Sequence, residues 1–217
     1  MSSGSPSRRP LIAVLDYGIG NLRSAEKALQ HVGADARLTA DAGLVADADA
    51  VVLPGVGAFG ACMDAFRAAG LEQVTRDAVA SGRPFLGICV GMQMLFSRSE
   101  EDPHASGLGI IPGTVRWIPP GVKRPQMQWN RLSLRLADDP IFTGLPADET
   151  WMYFVHSLHG VPDDPAVVAA TTEYGTALNV VFRSGNVVAT QFHPEKSAHD
   201  GLRLLENFAN IASGVLA

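Results

Sequence analysis

The sequence predicts an α/β fold: a mostly parallel central sheet flanked by helices, with an antiparallel strand extension in the C-terminal half. Three observations carry this. In the first half, short apolar runs of strand length alternate with apolar residues at helical spacing, the pattern of a parallel sheet covered on both faces. The second half is richer in strands and hairpin signals. No internal repeat or linker divides the 217 residues, and a hydrophobic content of 47% with 18% charged residues suits one globular unit with a sizeable core.

Residues 1–10 hold Ser, Gly, Pro and Arg without periodicity, so a disordered N-terminal tail is expected there, lacking the apolar stretch of a signal peptide. Residues 11–217 then form the domain. The run 11–15 is a buried strand, closed by the turn Asp16-Tyr-Gly-Ile-Gly-Asn21. Leu22, Ala25, Ala28, Leu29 and Val32 follow at helical spacing, and Gly33 suits a C-cap. Gly18 and Gly20 do not open a dinucleotide fingerprint, because its third glycine would fall at Arg23. Strands are expected at 36–39 and at 50–53, the second running into Pro54-Gly-Val-Gly57. Cys62, Phe66 and Ala69 make a helical stripe in which Cys62 is a small core residue. A helix over 71–80 ends at Gly82.

The run 84–88 is a further buried strand, and 92–97 reads as the start of a helix. Residues 99–112 form a polar loop, 113–118 a strand, and Pro119-Pro-Gly121 and Lys123-Arg-Pro125 turns. Residues 132–136 alternate at period two with Leu on one face. Strands are expected at 150–155, 167–171, 177–183 and 186–191, with Ser184-Gly185 as a tight hairpin turn. Ser197 and Asp200 have capping-box-like spacing ahead of a closing helix marked by Leu202, Leu205, Phe208 and Ile211.

The chemistry gathers in three places. Gly87 and Gly91 lie two residues either side of Cys89, the small-x-nucleophile-x-small pattern of a nucleophile elbow with Cys in place of Ser. A thiol at a helix N-terminus has its thiolate favoured by the dipole and by unpaired N–H groups. In Gln191-Phe-His-Pro-Glu195, His193 and Glu195 project to the same side of an extended chain, as a base and its orienting partner must. Gly55 and Gly57 let backbone N–H groups face a concavity, as an oxyanion hole requires. Taken singly, these are a buried Cys, a strand-end His and a Gly-rich turn; together they select a thiol nucleophile. His156 and His159, three apart, lack a third ligand at recognisable spacing, so no metal is expected.

The bulk properties bound the setting. A net charge of −5 argues against nucleic acid. Two cysteines make no disulfide framework and fit a reducing, cytoplasmic location. No stretch approaches the roughly 18 apolar residues of a membrane span.

The motifs Gly-Ile-Cys-Val-Gly-Met-Gln and Phe-His-Pro-Glu resemble the class I, triad-type glutamine amidotransferases. Asp16-Tyr-Gly-Ile-Gly-Asn-Leu22, Pro54-Gly-Val-Gly-Ala-Phe59 and Tyr153-Phe-Val-His-Ser157 narrow the likeness to the glutaminase subunits of imidazole glycerol phosphate synthase. The resemblance implies a Cys89, His193, Glu195 triad acting on L-glutamine. Its oxyanion donors would come mainly from Gly57, in the Gly55–Gly57 loop, helped by the N–H of Val90. Gln93, His156 and Ser157 would lie against the substrate. It implies no cofactor, and a heterodimer with a (β/α)8 cyclase met by the 16–21 turn, Asn21, Met127, Trp129 and Lys196. Gln128 and Leu158 depart from the family's usual Gly and Tyr. Alternatives are the glutaminase of a pyridoxal phosphate synthase, a silent cyclase-binding scaffold, and a cysteine peptidase or amide hydrolase. The first resembles this chain less, since its Gly-Gly-Glu-Ser-Thr is absent.

Overall fold

The computed structural model describes residues 8–147 and 149–216. In chain order the elements are β1 (Leu11–Leu15), α1 (Leu22–His31), β2 (Asp35–Thr39), α2 (Ala42–Asp47), β3 (Ala50–Gly55), α3 (Phe59–Ala68) and α4 (Leu71–Ala80). There follow β4 (Phe85–Cys89), α5 (Val90–Met94), β5 (Phe96–Ser99), β6 (Ile111–Trp117), β7 (Gln126–Arg131) and β8 (Ser133–Leu134). The chain closes with β9 (Trp151–His156), β10 (Leu158–Pro162), β11 (Val168–Glu173), β12 (Ala177–Ser184), β13 (Val187–Thr190) and α6 (Ala198–Ala212).

The central sheet has eight strands in the order β2-β1-β3-β4-β13-β12-β11-β8. The strands from β2 to β13 run parallel, and β12, β11 and β8 continue antiparallel. The expected parallel sheet with an antiparallel extension is therefore present. A smaller sheet, β10-β6-β5, and the antiparallel pair β7–β9 pack beside it. The inner parallel strands β3, β4 and β13 are buried end to end, and β1 all but its first residue, so they read as apolar runs and not as alternation. Phe59, Phe66, Phe85, Phe154, Phe182 and Phe208 are among the largest buried side chains of the core.

Register places the functional ends together. Gly55 of β3 stands opposite Cys89 of β4, and Thr190 of β13 stands opposite Ile88. The Gly55–Gly57 loop, the Cys89 thiol and the His-Pro-Glu segment thus converge at the C-terminal edge of three adjacent strands, where open α/β sheets bind ligands.

Four local expectations are corrected. The helix after Cys89 ends at Met94, and Phe96–Ser99 is a strand paired with β6. Val90 to Phe96 is buried on every side, so no polar face marked where the helix stopped. Within 132–136 only Ser133–Leu134 pairs with β11. The N–H groups of Arg135 and Leu136 both converge on the Ala169 carbonyl, beside an irregularity in β11, and the ladder stops. The hairpin turn is Gly185-Asn186 and not Ser184-Gly185: Ser184 is the last residue of β12, and Gly185 takes φ +57°.

Ser197 and Asp200 form no capping box. Ser197 Oγ donates to the His193 carbonyl at 2.7 Å and accepts from Tyr153 N at 2.9 Å, while Asp200 accepts from Trp151 N at 2.8 Å. Both side chains are spent on tying β9 to the segment that carries His193. Strands β7 and β10 were not foreseen. The β7–β9 ladder runs without a break from Gln126↔His156 to Arg131↔Trp151, so Gln128 leaves the strand intact.

Of the expected tail, residues 1–7 lie outside those described. Arg8 grips Asp49 at 2.7 and 2.9 Å, and Pro10 is buried.

Candidate active site

Cys89 ends β4 with φ 55° and ψ −115°. Among the described residues only Ala198 shares a positive φ without being glycine. Such strain costs about 1–3 kcal/mol and persists where the surroundings over-determine it. The surroundings here are backbone. A Cβ on Gly91 would collide with the Leu53 carbonyl of β3, and one on Gly87 would lie 3.0 Å from Met92 Cα. α5 crosses β3 and β4 too closely for any other residue. Gly91→Ala is therefore expected to lower stability by about 3 kcal/mol or more, the upper end for overpacking, because the obstacle is main chain; a urea melt checks this.

The thiol opens on a cavity of about 550 Å³. His193, which lines the same cavity, is buried, its Nδ1 lying 2.8 Å from Glu195 Oε1 with both side chains almost fully covered. Pro194–Lys196 is a single 3-10 turn, which returns Glu195 to its own histidine. Burial opposes the charged imidazole. Hydrogen bonds to Cys89 and Glu195, and the charge on both, outweigh it and raise the His193 pKa to about 9. The imidazolium is thus held below that pH and lost above it. Catalysis that needs His193 to protonate a leaving amine should fall as pH rises through about 9, which a kcat against pH profile in the 7–10 range would show.

The glycine strand is tied from below. Tyr17 Oη donates to the Pro54 carbonyl at 2.8 Å, and Cys62 Sγ to the Val56 carbonyl at 3.2 Å. Cys62 is fully buried, as a core residue, and it also holds the oxyanion strand. Gly55 has no spare room, since a Cβ there would lie 2.6 Å from Gly91 N. Gly57 takes φ +96° with open space where a Cβ would stand.

Val56, Gly57, Val90, Gln93, His156 and Ser157 all line the cavity. Burial, foremost, lowers the His156 pKa to about 4, so its ring is neutral. Its Nδ1 lies 2.7 Å from the Leu158 carbonyl, which only accepts, so Nδ1 carries the proton and Nε2 must accept. The neighbour of Nε2 at 2.9 Å is the Gln126 amide, whose other end has no partner as placed. Turning that amide so that its N–H₂ donates to Nε2 matches donor to acceptor. With both ring nitrogens engaged, His156 offers the cavity only its ring face and backbone. Asn21 and Lys196 stand on the cavity rim, and Met127 and Trp129 are exposed on β7 beside it.

Sequence reasoning passed over Gln126, Tyr17, Gln191 and Glu101. Glu101, from the polar loop, accepts from the first N–H of α3 at 2.7 Å and lines the cavity. Only Gln191 carried a signal, its place at period two with His193. Among the described residues no helix is long and apolar enough to cross a membrane.

A strained thiol sharing a cavity with a buried His–Glu pair is equipped to take an acyl group onto sulfur. The chain belongs to the class-I glutamine amidotransferases, whose family model matches residues 13–212. Two relatives narrow the placement. The imidazole glycerol phosphate synthase subunit HisH of Syntrophotalea carbinolica is 49% identical over 208 residues, covering 93% of this chain and 100% of that one. The subunit of the same name from Methanothermobacter thermautotrophicus is 47% identical over 201 residues, covering 93% and 98%. Within the class, the chain groups with these HisH subunits. The solved structure of PurLQS from Thermotoga maritima superposes with a TM-score of 0.75 at 21% identity, covering 94% of this chain and 99% of that one, a likeness of fold.

Proposed function

We propose that this chain hydrolyses glutamine to glutamate and ammonia and passes the ammonia to a (β/α)8 cyclase subunit of imidazole glycerol phosphate synthase. The heterodimer would make imidazole glycerol phosphate and aminoimidazole carboxamide ribotide in histidine biosynthesis, in the cytoplasm. One observation carries the chemistry: the elbow thiol of Cys89 and the imidazole of His193, oriented by Glu195 at 2.8 Å, line one cavity.

In this reading Cys89 attacks the side-chain carbonyl of glutamine. The C–O π pair moves to oxygen, where N–H groups of Gly57 and Val90 receive it. His193, holding the thiol proton, delivers it to the departing amine; the C–N bond breaks, leaving a glutamyl thioester and ammonia. His193 then takes a proton from water as that water attacks the thioester, and thiol and glutamate are released. No metal or organic cofactor enters these steps.

The cyclase would bind over Asn21, Lys196, Met127 and Trp129. Exposed Trp129 and Trp151 extend an apolar face along β7–β9 to the cavity mouth, the composition favoured at the centre of interfaces. Co-purification with the cyclase and a glutamate-release assay test the proposal. A complex that releases no glutamate would favour a silent scaffold; cleavage of peptides in preference to glutamine would favour a hydrolase of another kind.

A further inference from the structure

The proposed mechanism leaves one buried polar side chain beside the nucleophile without a role. Gln191 is fully buried, one residue beyond β13. Because Thr190 is opposite Ile88, the next residue of each strand brings Gln191 alongside Cys89. The chain bends at Gln191 and Phe192; Phe192 turns into the core against Phe154, where it is 0% exposed, and His193 returns to the cavity wall. The Gln191 amide nitrogen lies 3.9 Å from Cys89 Sγ, and its oxygen accepts from Gln93 Nε2 at 3.1 Å. Three side chains from two strand ends and one helix therefore make a continuous buried chain, Gln93–Gln191–Cys89.

We propose that Gln191 is a positioning residue of the glutaminase site, its amide N–H₂ stabilising the Cys89 thiolate while its carbonyl orients Gln93 toward the substrate. The proposal rests on the reading of Cys89 as the nucleophile. Its logic is one of donors and acceptors. A thiolate only accepts, so the amide must present nitrogen to sulfur; a carbonyl turned that way would set lone pairs against a negative charge. The Gln191 oxygen then faces Gln93 and must accept, so Gln93 donates through its nitrogen. The Gln93 oxygen is left as the end for the cavity, an acceptor matched to a ligand N–H such as the ammonium or carboxamide of glutamine. Ionisation of the thiol thereby sets the polarity with which the substrate is met. A 3.9 Å separation is long for such a bond, and active-site hydrogen bonds commonly tighten once substrate is bound.

Other titratable groups surround the sulfur. They are His193 and Glu195 beyond β13, Tyr17 beyond β1, Cys62 on α3, and Glu101 and Lys196 on the cavity wall. None is replaced by a change at Gln191, and Gln191→Met adds no charge, so a shift in thiol behaviour in that variant reports the amide, while Gln191→Glu adds a carboxylate that raises the thiol further.

The test is peptide-resolved alkylation of the full chain by iodoacetamide across pH, with buried Cys62 as the internal control, in the parent, Gln191→Met and Gln191→Glu. Both variants remove the amide donor. The pH of half-maximal Cys89 alkylation is expected to rise by roughly one unit, so that alkylation near neutral pH slows about tenfold. With the cyclase bound, KM for glutamine should rise about tenfold in Gln191→Met and far less in Gln191→Glu, which keeps an oxygen for Gln93. A parental alkylation midpoint in both variants, whatever their melting temperatures, would make Gln191 structural and overturn the inference. A parent whose Cys89 shows no pH-dependent alkylation and releases no glutamate would instead remove the glutaminase reading itself.

Discussion

Replacing Cys89 by Ala is expected to abolish glutamine-dependent turnover of the complex while ammonium-dependent turnover survives. The loss is on the order of a millionfold, the scale seen when the nucleophile of a triad is removed and only binding and oxyanion contacts remain. No other thiol can substitute: Cys62 is fully buried and directed at the Val56 carbonyl. The fold should tolerate the change, because Ala occupies less of the space that the elbow glycines clear. Free ammonia bypasses this subunit, so saturating ammonium separates a dead glutaminase from a damaged complex. Glutamine-supported turnover in Cys89→Ala would show that the nucleophile is elsewhere.

The isolated chain is expected to hydrolyse glutamine very slowly, and bound cyclase with its nucleotide ligand to raise the rate on the order of a hundredfold or more. In this reading the two loop glycines are not equivalent. Gly55 is locked in β3 against Gly91 N and Tyr17 Oη, so it cannot be the hinge. The Val56–Gly57 peptide is trans and its carbonyl is held by the Cys62 thiol, so the Gly57 N–H points the opposite way. Turning this peptide breaks one bond from a weak thiol donor, at a glycine already in left-handed conformation with open space around it. An oxyanion donor brought into place is worth about 3–4 kcal/mol, and its effect belongs to the transition state. The gain should therefore appear in kcat. Steady-state kinetics of the chain, the complex and the liganded complex check this; full activity in the isolated chain, or a gain confined to KM, would exclude gating.

What the sequence made legible was local in the chain. The elbow spacing around Cys89 and the nearness of His193 to Glu195 need only a few consecutive residues, and the structure brings Cys89 and His193 to one cavity, but the His–Glu pair meets through a 3-10 turn and not through the alternation of an extended chain. Tyr17 on the Pro54 carbonyl and Gln126 under His156 depend on register between segments far apart in sequence, which periodicity does not encode. The 96–99 strand was hidden for another reason. The run 90–96 leading into it is buried on all sides, and such a run carries no period that separates helix from strand. Ser197 and Asp200 had the spacing of a cap, yet tertiary contacts with β9 claimed both side chains.

The central claim is that Cys89 carries the glutamyl group. Acid-quenching the complex during glutamine turnover and mapping peptides by mass should find a glutamyl adduct on the peptide containing Cys89. That adduct should disappear in Cys89→Ala. An adduct on another residue, or glutamate released at the parental rate by Cys89→Ala, would contradict it.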